Sequence, residues 1–233
     1  MRNLFVAAAL MLALAACNTR THQLTTTMNR VDGQAPKVVL MPLDVELSLL
    51  SAGGVPEVRA DWTETANTLL LEALRNEKQA RDIRMAVFGD ATTDEAKADL
   101  ANQLIKLHGV VGNAILVHQY NPQGALPNKN GAFEWSIGPA AKSLKEVYQA
   151  DYALFVWVRD SYTSGGRAVA MFLAAAAFGV ALPGGQQLGF ASLVELETGN
   201  VVWFNLLARG SGDLRHAEGA ANTAQNLLAQ LPK

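Results

Sequence analysis

The sequence predicts an α/β fold: a mixed sheet of about five strands with flanking helices, a C-terminal β-hairpin and a terminal helix. Three stretches carry that expectation. KVVLMPLDVEL, an amphipathic run and IRMAVFGD read as strand, helix and strand, a β-α-β unit whose right-handed crossover makes its strands parallel neighbours. YALFVWVRD is aromatic and β-branched on both faces, the pattern of a strand buried on both sides. QLGFASLVELETGNVVWFNLLA is two strands around Glu197-Thr198-Gly199-Asn200, a turn with glycine where a positive φ is needed.

Before the fold comes a leader. Residues 1–16, MRNLFVAAALMLALAA, carry Arg2 and then no charge, which is the pattern of a secretory signal. Leu14-Ala15-Ala16-Cys17 resembles a bacterial lipobox, and the resemblance implies cleavage before Cys17 and acylation of its thiol, palmitate included. Asn18, in place of aspartate, implies sorting to the outer membrane by enterobacterial-type rules. Cys17 is the sole cysteine, so no intramolecular disulfide can form, and lipidation accounts for a lone thiol in an exported chain. Several acyl chains hold far more firmly than one.

Residues 17–35, CNTRTHQLTTTMNRVDGQA, are polar and Thr-rich without apolar period, and read as a flexible tether. The remaining 36–233 suit a single periplasmic α/β domain. In it, Pro42 ends the first strand or marks an edge or bulge, and SAGGVPEV reads as a loop. ADWTETANTLLLEALRNEKQA is a helix with Asp61 as N-cap and Glu64 three residues on. Thr92 and Glu95 repeat the pattern before a second long helix reaching about Tyr120, which Gly109 and Gly112 could break. Pro139 opens a short helix, PAAKSLKEVYQA. DLRHAEGAANTAQNLLAQL, capped by Asp213, is the terminal helix.

Half the residues are hydrophobic and the net charge is −2, so a sizeable core can form and no basic excess points to nucleic acid. The chain lacks HExxH, GxxxxGK[ST], GxSxG, SxxK and EF-hand patterns. His108 and His118 lie ten residues apart on one helix, about 80° apart around its axis, and cannot share a metal unaided; both read as partly exposed. Asp151 and Asp160 flank one strand as end caps. No catalytic residue, metal or cofactor is expected.

Residues 168–182, AVAMFLAAAAFGVAL, form an uncharged run of 15 between strands, shorter than the roughly 20 residues of a membrane span. Two readings stand: a helix packed on the domain through its small alanines, which is the expectation taken, or an exposed element that docks on a membrane or another subunit. Phe172 and Phe178 would then be partner contacts, with Arg167 at the polar end of the run. In the loop before the short helix, Trp135 is a further candidate contact. Tyr162-Thr163-Ser164-Gly165-Gly166-Arg167 reads as a glycine turn, with an anion site at the helix start as the alternative.

ADYALFV, Ala150 to Val156, and LVELETGNVVW, Leu193 to Trp203, resemble the C-terminal half of the curli-secretion lipoprotein (CsgG) family and of TolB N-terminal-like domains. PKVVLMPLD followed by a capped helix fits the same order. The resemblance implies a lipid-anchored outer-membrane protein on the periplasmic face, a non-enzymatic scaffold or accessory in envelope assembly, secretion or maintenance. Its implied contacts are the membrane through acylated Cys17, envelope proteins, and other copies of the chain. The alternative is a subunit of a curli-type secretion channel or ring. Channel-forming members insert alternating β-hairpins, and 168–182 has no such alternation.

Overall fold

Strand β6, Tyr152–Thr163, is the axis of the sheet. A computed structural model describes residues 17–23 (backbone alone), 28, 36–81, 84–88, 95–179, 181–210 and 212–232; the leader and the cap at Thr92 lie outside these. Antiparallel β7, Gln187–Glu195, pairs with β6 from Tyr152↔Glu195 to Asp160↔Gln187. On the other side of β6 run two parallel strands, β2 (Val38–Leu40) and β3 (Asp44–Leu50).

KVVLMPLDVEL is therefore two strands rather than one. Leu40 faces Leu154 and Asp44 faces Trp157, so the β2–β3 side holds one residue more than β6 between those pairs. Pro42, with no N–H for the ladder, sits in that irregularity. Within SAGGVPEV, only 51–55 is loop, because β4, Pro56–Val58, pairs antiparallel with β3. Helix α1, Ala60–Arg81, begins one residue before the expected cap and leads to β5, Met85–Val87, parallel to β2. That closes the β-α-β unit.

The predicted hairpin forms between β7 and β8, Val201–Arg209, with Gly199 at φ 74° in its turn. Besides β4, a second strand lies where none is expected. Cys17–Gln23, inside the stretch read as a tether, forms β1, antiparallel to β8 from Cys17↔Arg209 to Gln23↔Trp203. Backbone pairing needs no apolar side chain, so its polar sequence gave no period to read. The sheet is mixed, as expected, and has eight strands among the described residues.

The pleat of β6 sends Leu154, Val156 and Val158 to one face and Ala153, Phe155 and Trp157 to the other. On the first face, α1 brings Leu70 and Leu74, and α5, Ala217–Leu227, brings Ala220, Ala224 and Leu227. α5 starts four residues after Asp213, whose carboxylate instead holds Arg215 by its backbone N–H at 3.0 Å and its guanidinium at 2.7 Å. The second face is covered by α2, Glu95–Gln119, with Leu104 and Ile115, and by α3, Lys142–Tyr148, with Leu144. Helix α4, Gly165–Phe178, belongs to neither layer.

α2 runs unbroken through Gly109 and Gly112. Glycine there serves packing, since a Cβ on Gly112 would lie 2.1 Å from the Phe190 ring. By length and composition alone, 98–119 could cross a membrane, but Ala101, Leu104, His108 and Ile115 are buried against the sheet. His108, expected at the surface, is in the core: it stacks on Phe155 at 4.6 Å and hydrogen-bonds Ser192. The close approach at Gly112 brings the ring inside.

Burial pushes the His108 pKa down to about 3, because the cation would lose its hydration. Between that value and 6.5 the unfolded chain binds the proton and the folded chain does not, so stability is complete above 6.5 and falls as pH drops. His108 should remove roughly 3 kcal/mol between pH 7 and pH 4. Urea midpoints should fall over that range, and more steeply in the parent than in His108→Gln; equal slopes would mean that the imidazole is not the group titrating.

Candidate functional site

Beyond its last pair with β7 at Asp160, β6 runs on to Thr163 beside β3, and this end of the sheet is built from polar contacts. Asp160, 2% exposed, accepts hydrogen bonds from the Tyr162 hydroxyl at 2.6 Å and the Gln187 amide at 2.8 Å. The Gln187 carbonyl accepts from Arg209 Nε at 2.8 Å and Thr223 Oγ1 at 3.1 Å. Arg209 also donates to Thr223 at 2.6 Å and to Asn222. One chain of contacts thus ties β6, β7, β8 and α5 together.

Burial pushes Asp160 above the usual carboxylate range, against the pull of its donors, and burial beside Asp160 likewise raises Tyr162. A polar cleft of about 300 Å³ opens beside them, lined by Ser161, Thr163 and Gly184 to Gln187. Sequence reading took Asp160 for a strand-end cap; the strand continues past it and the carboxylate turns into the network. Ser192 and His108 are the other pair with catalytic side-chain types, and both are sealed in the core.

From this end rises α4. Ser164 caps it, its hydroxyl accepting from Arg167 N at 3.1 Å, and Gly179 at φ 65° stops it. Arg167 is not a surface residue: it is 8% exposed, its guanidinium lies against Gly54, and Nη2 donates to the Pro183 carbonyl at 2.9 Å. Its Nε has no partner among the described residues. The return segment is held just as closely. Gly185 N donates to Thr163 Oγ1 at 2.8 Å, and a Cβ on Gly185 would lie 2.2 Å from the Ser161 carbonyl.

The base of α4 is fixed, yet its body is bare. Val169 is 58% exposed, Phe172 71%, Leu173 57% and Phe178 80%. At 100° per residue, Val169, Phe172, Leu173 and Ala176 share an arc of about 100° facing away from the protein, while Arg167, Ala170, Met171 and Ala174 face it. The expectation that 168–182 packs on the domain is corrected: both sheet faces are covered by other helices, and α4 is in neither core cluster. The helix also ends at Phe178, before 182.

Cys17 belongs to the same end. Cys17 faces Arg209, Arg209 faces Gln187, and Gln187 faces Asp160, a transverse row three strand spacings wide, about 14 Å. β1 therefore begins at the end of the sheet where α4 starts. Trp135 is elsewhere, near the β7–β8 turn, where its carbonyl accepts from Val201 N at 2.9 Å. Its ring stacks on His118 at 6.3 Å beneath the Lys129 ammonium at 4.9 Å, half-buried rather than presented. The structure thus groups Cys17, Arg167, Phe172 and Phe178 at one end and sets Trp135 apart. Val169 and Leu173 were missed, although helical spacing from Phe172 could have found them; the Asp160–Gln187–Arg209 chain left no pattern in the sequence.

No protein-family model and no curated protein matches the chain. Among solved structures, it is similar to a PelC dodecamer from Paraburkholderia phytofirmans, at 13% identity and TM-score 0.42 over 93% of this chain and 99% of that one. A leucine-to-methionine variant of that dodecamer matches at 13% identity and TM-score 0.38, over 92% and 97%. Superposition this loose does not establish a shared family.

If α4 contributes nothing to the core, Phe172→Ser with Phe178→Ser should move the free energy of unfolding by less than about 1 kcal/mol. Phe190→Ala, by contrast, should cost about 3–5 kcal/mol. Urea titration of the three proteins decides; a comparable loss in the α4 variant would put that helix in the fold's core.

Proposed function

We propose that the chain is an acylated lipoprotein of the outer membrane, held on the periplasmic face by Cys17, which serves as a non-enzymatic scaffold or accessory in envelope assembly, secretion or maintenance. One observation carries the reading. The lipobox cysteine is the first residue of β1, paired with Arg209, so the anchor joins the folded body with no spacer between them. An anchored body of this kind takes a set orientation, which is what a scaffold needs and a tethered enzyme does not.

Two further features agree. The Asp160 network directs its hydrogen bonds to its own partners, Gln187 and Arg209 included, and so acts as a clamp between strands and helix. Ser192 and His108 hydrogen-bond each other, and both are buried.

A second reading, self-association into a ring or smaller oligomer, is favoured by α2. Leu107, Val110 and Val117 are exposed there within an arc of about 80°, the seam that a second copy would cover.

Cells fed labelled palmitate should incorporate it into the parent chain. Cys17→Ser should abolish the label and render the protein extractable by alkaline wash; an unlabelled parent would remove the anchor. For the second reading, the native mass of the detergent-extracted protein should be a multiple of the monomer and fall to the monomer in Val110→Glu with Val117→Glu. A monomeric parent would end it.

A further inference from the structure

We infer that the outward face of α4 is a bilayer contact, with Val169, Phe172 and Leu173 entering the interfacial layer of the membrane that holds the acyl chains of Cys17. The orientation rests on the anchored reading above; the chemistry rests on α4 itself.

Four observations converge on that occupant. A helix lying on a protein in water turns polar residues outward, whereas α4 turns out Val169, Phe172, Leu173 and Ala176, and 168–182 holds no charge. Its 14 residues span about 21 Å, too short to cross a hydrocarbon core of about 30 Å but sufficient to lie along its surface. The helix satisfies its own backbone, and its ends are closed by Ser164 and Gly179, so burying the face strands no donor. Finally, β1 begins at Cys17, at the end of the sheet from which α4 starts. An acyl anchor there puts the bilayer at the end of the sheet that carries this face.

The fixed base gives the contact its function. Arg167 and Gly185 hold α4 to the end of β6, so a seated helix fixes the tilt of the whole sheet instead of adding a second loose tether. Two attachments, acyl chains and helix face, define a plane of docking. Arg167, the sole cation of α4, is turned inward, and the contact is therefore apolar and indifferent to lipid charge.

The test uses the mature chain carrying Cys17→Ser, so that acylation is absent, and phosphatidylcholine vesicles. The protein should sediment with vesicles, with a partition constant that changes less than about twofold between roughly 50 and 500 mM salt. Phe172→Ser with Leu173→Ser should lower that constant at least about tenfold while the urea midpoint holds. Absence of vesicle binding, or binding that the double variant leaves intact, overturns the inference. So does a mass in solution that doubles in the parent and not in the double variant, since α4 would then be covered by a second copy. Failure of the anchor itself shows separately, as a parent chain without palmitate.

Discussion

Burial of β6 on both faces is the constraint from which the rest of this structure follows. Leu154 and Val158 on one side and Phe155 and Trp157 on the other each need an apolar cover, and the chain supplies two helices per side. A two-faced sheet with both layers filled has no place for another apolar helix. α4 is that helix, and its exposed phenylalanines are the consequence of a core already complete, not of a poorly packed one. Stacking of Phe190 on Trp157 at 4.8 Å and on Phe204 at 5.3 Å shows how closely the filled layer is built.

The overhang of β6 beyond β7 makes the second half of the account. Strand ends leave backbone groups to satisfy, and here the polar side chains of Asp160, Tyr162, Gln187 and Arg209 close the sheet end while Ser161 and Thr163 receive the return segment from α4. Asp160 tolerates its burial because three donors face it: Tyr162, Gln187 and the more distant Leu214 N–H. A closed end of this kind is rigid, which lets an exposed helix be held at a fixed angle without packing on the sheet.

Most of the fold was legible because its signals are local. The two-sided apolarity of YALFVWV, the helical period of Leu70 and Leu74, and the Gly199 turn each depend on neighbours in sequence. What escaped depends on partners far along the chain. β1, CNTRTHQ, has no apolar alternation, and its strand state comes from the open edge of β8. Gly112 looked like a breaker and proved to be the seat for Phe190, 78 positions later, which drew His108 inside with it. At the candidate site, Phe172 and Phe178 could be picked from their chemistry, and Cys17 from the residues before it. Their shared end of the molecule could not, because it is set by the register of four strands. Arg167 misled for the same reason, its buried position being fixed by Gly54 and Pro183.

The central claim is that the sheet end bearing Cys17 and α4 lies against the bilayer. Cys17 is the one native thiol and the proposed acylation would consume it, so a cysteine placed elsewhere can carry a spin label without background. Labels at Leu173→Cys on α4 and at Thr198→Cys in the far hairpin turn should be compared in the acylated protein reconstituted in lipid. Collision rates with oxygen, which concentrates in the acyl layer, and with a water-soluble nickel complex report the depth of each. The account predicts that Leu173→Cys collides chiefly with oxygen, at roughly 5–10 Å depth, and Thr198→Cys with nickel. Equal nickel access at both positions would contradict it.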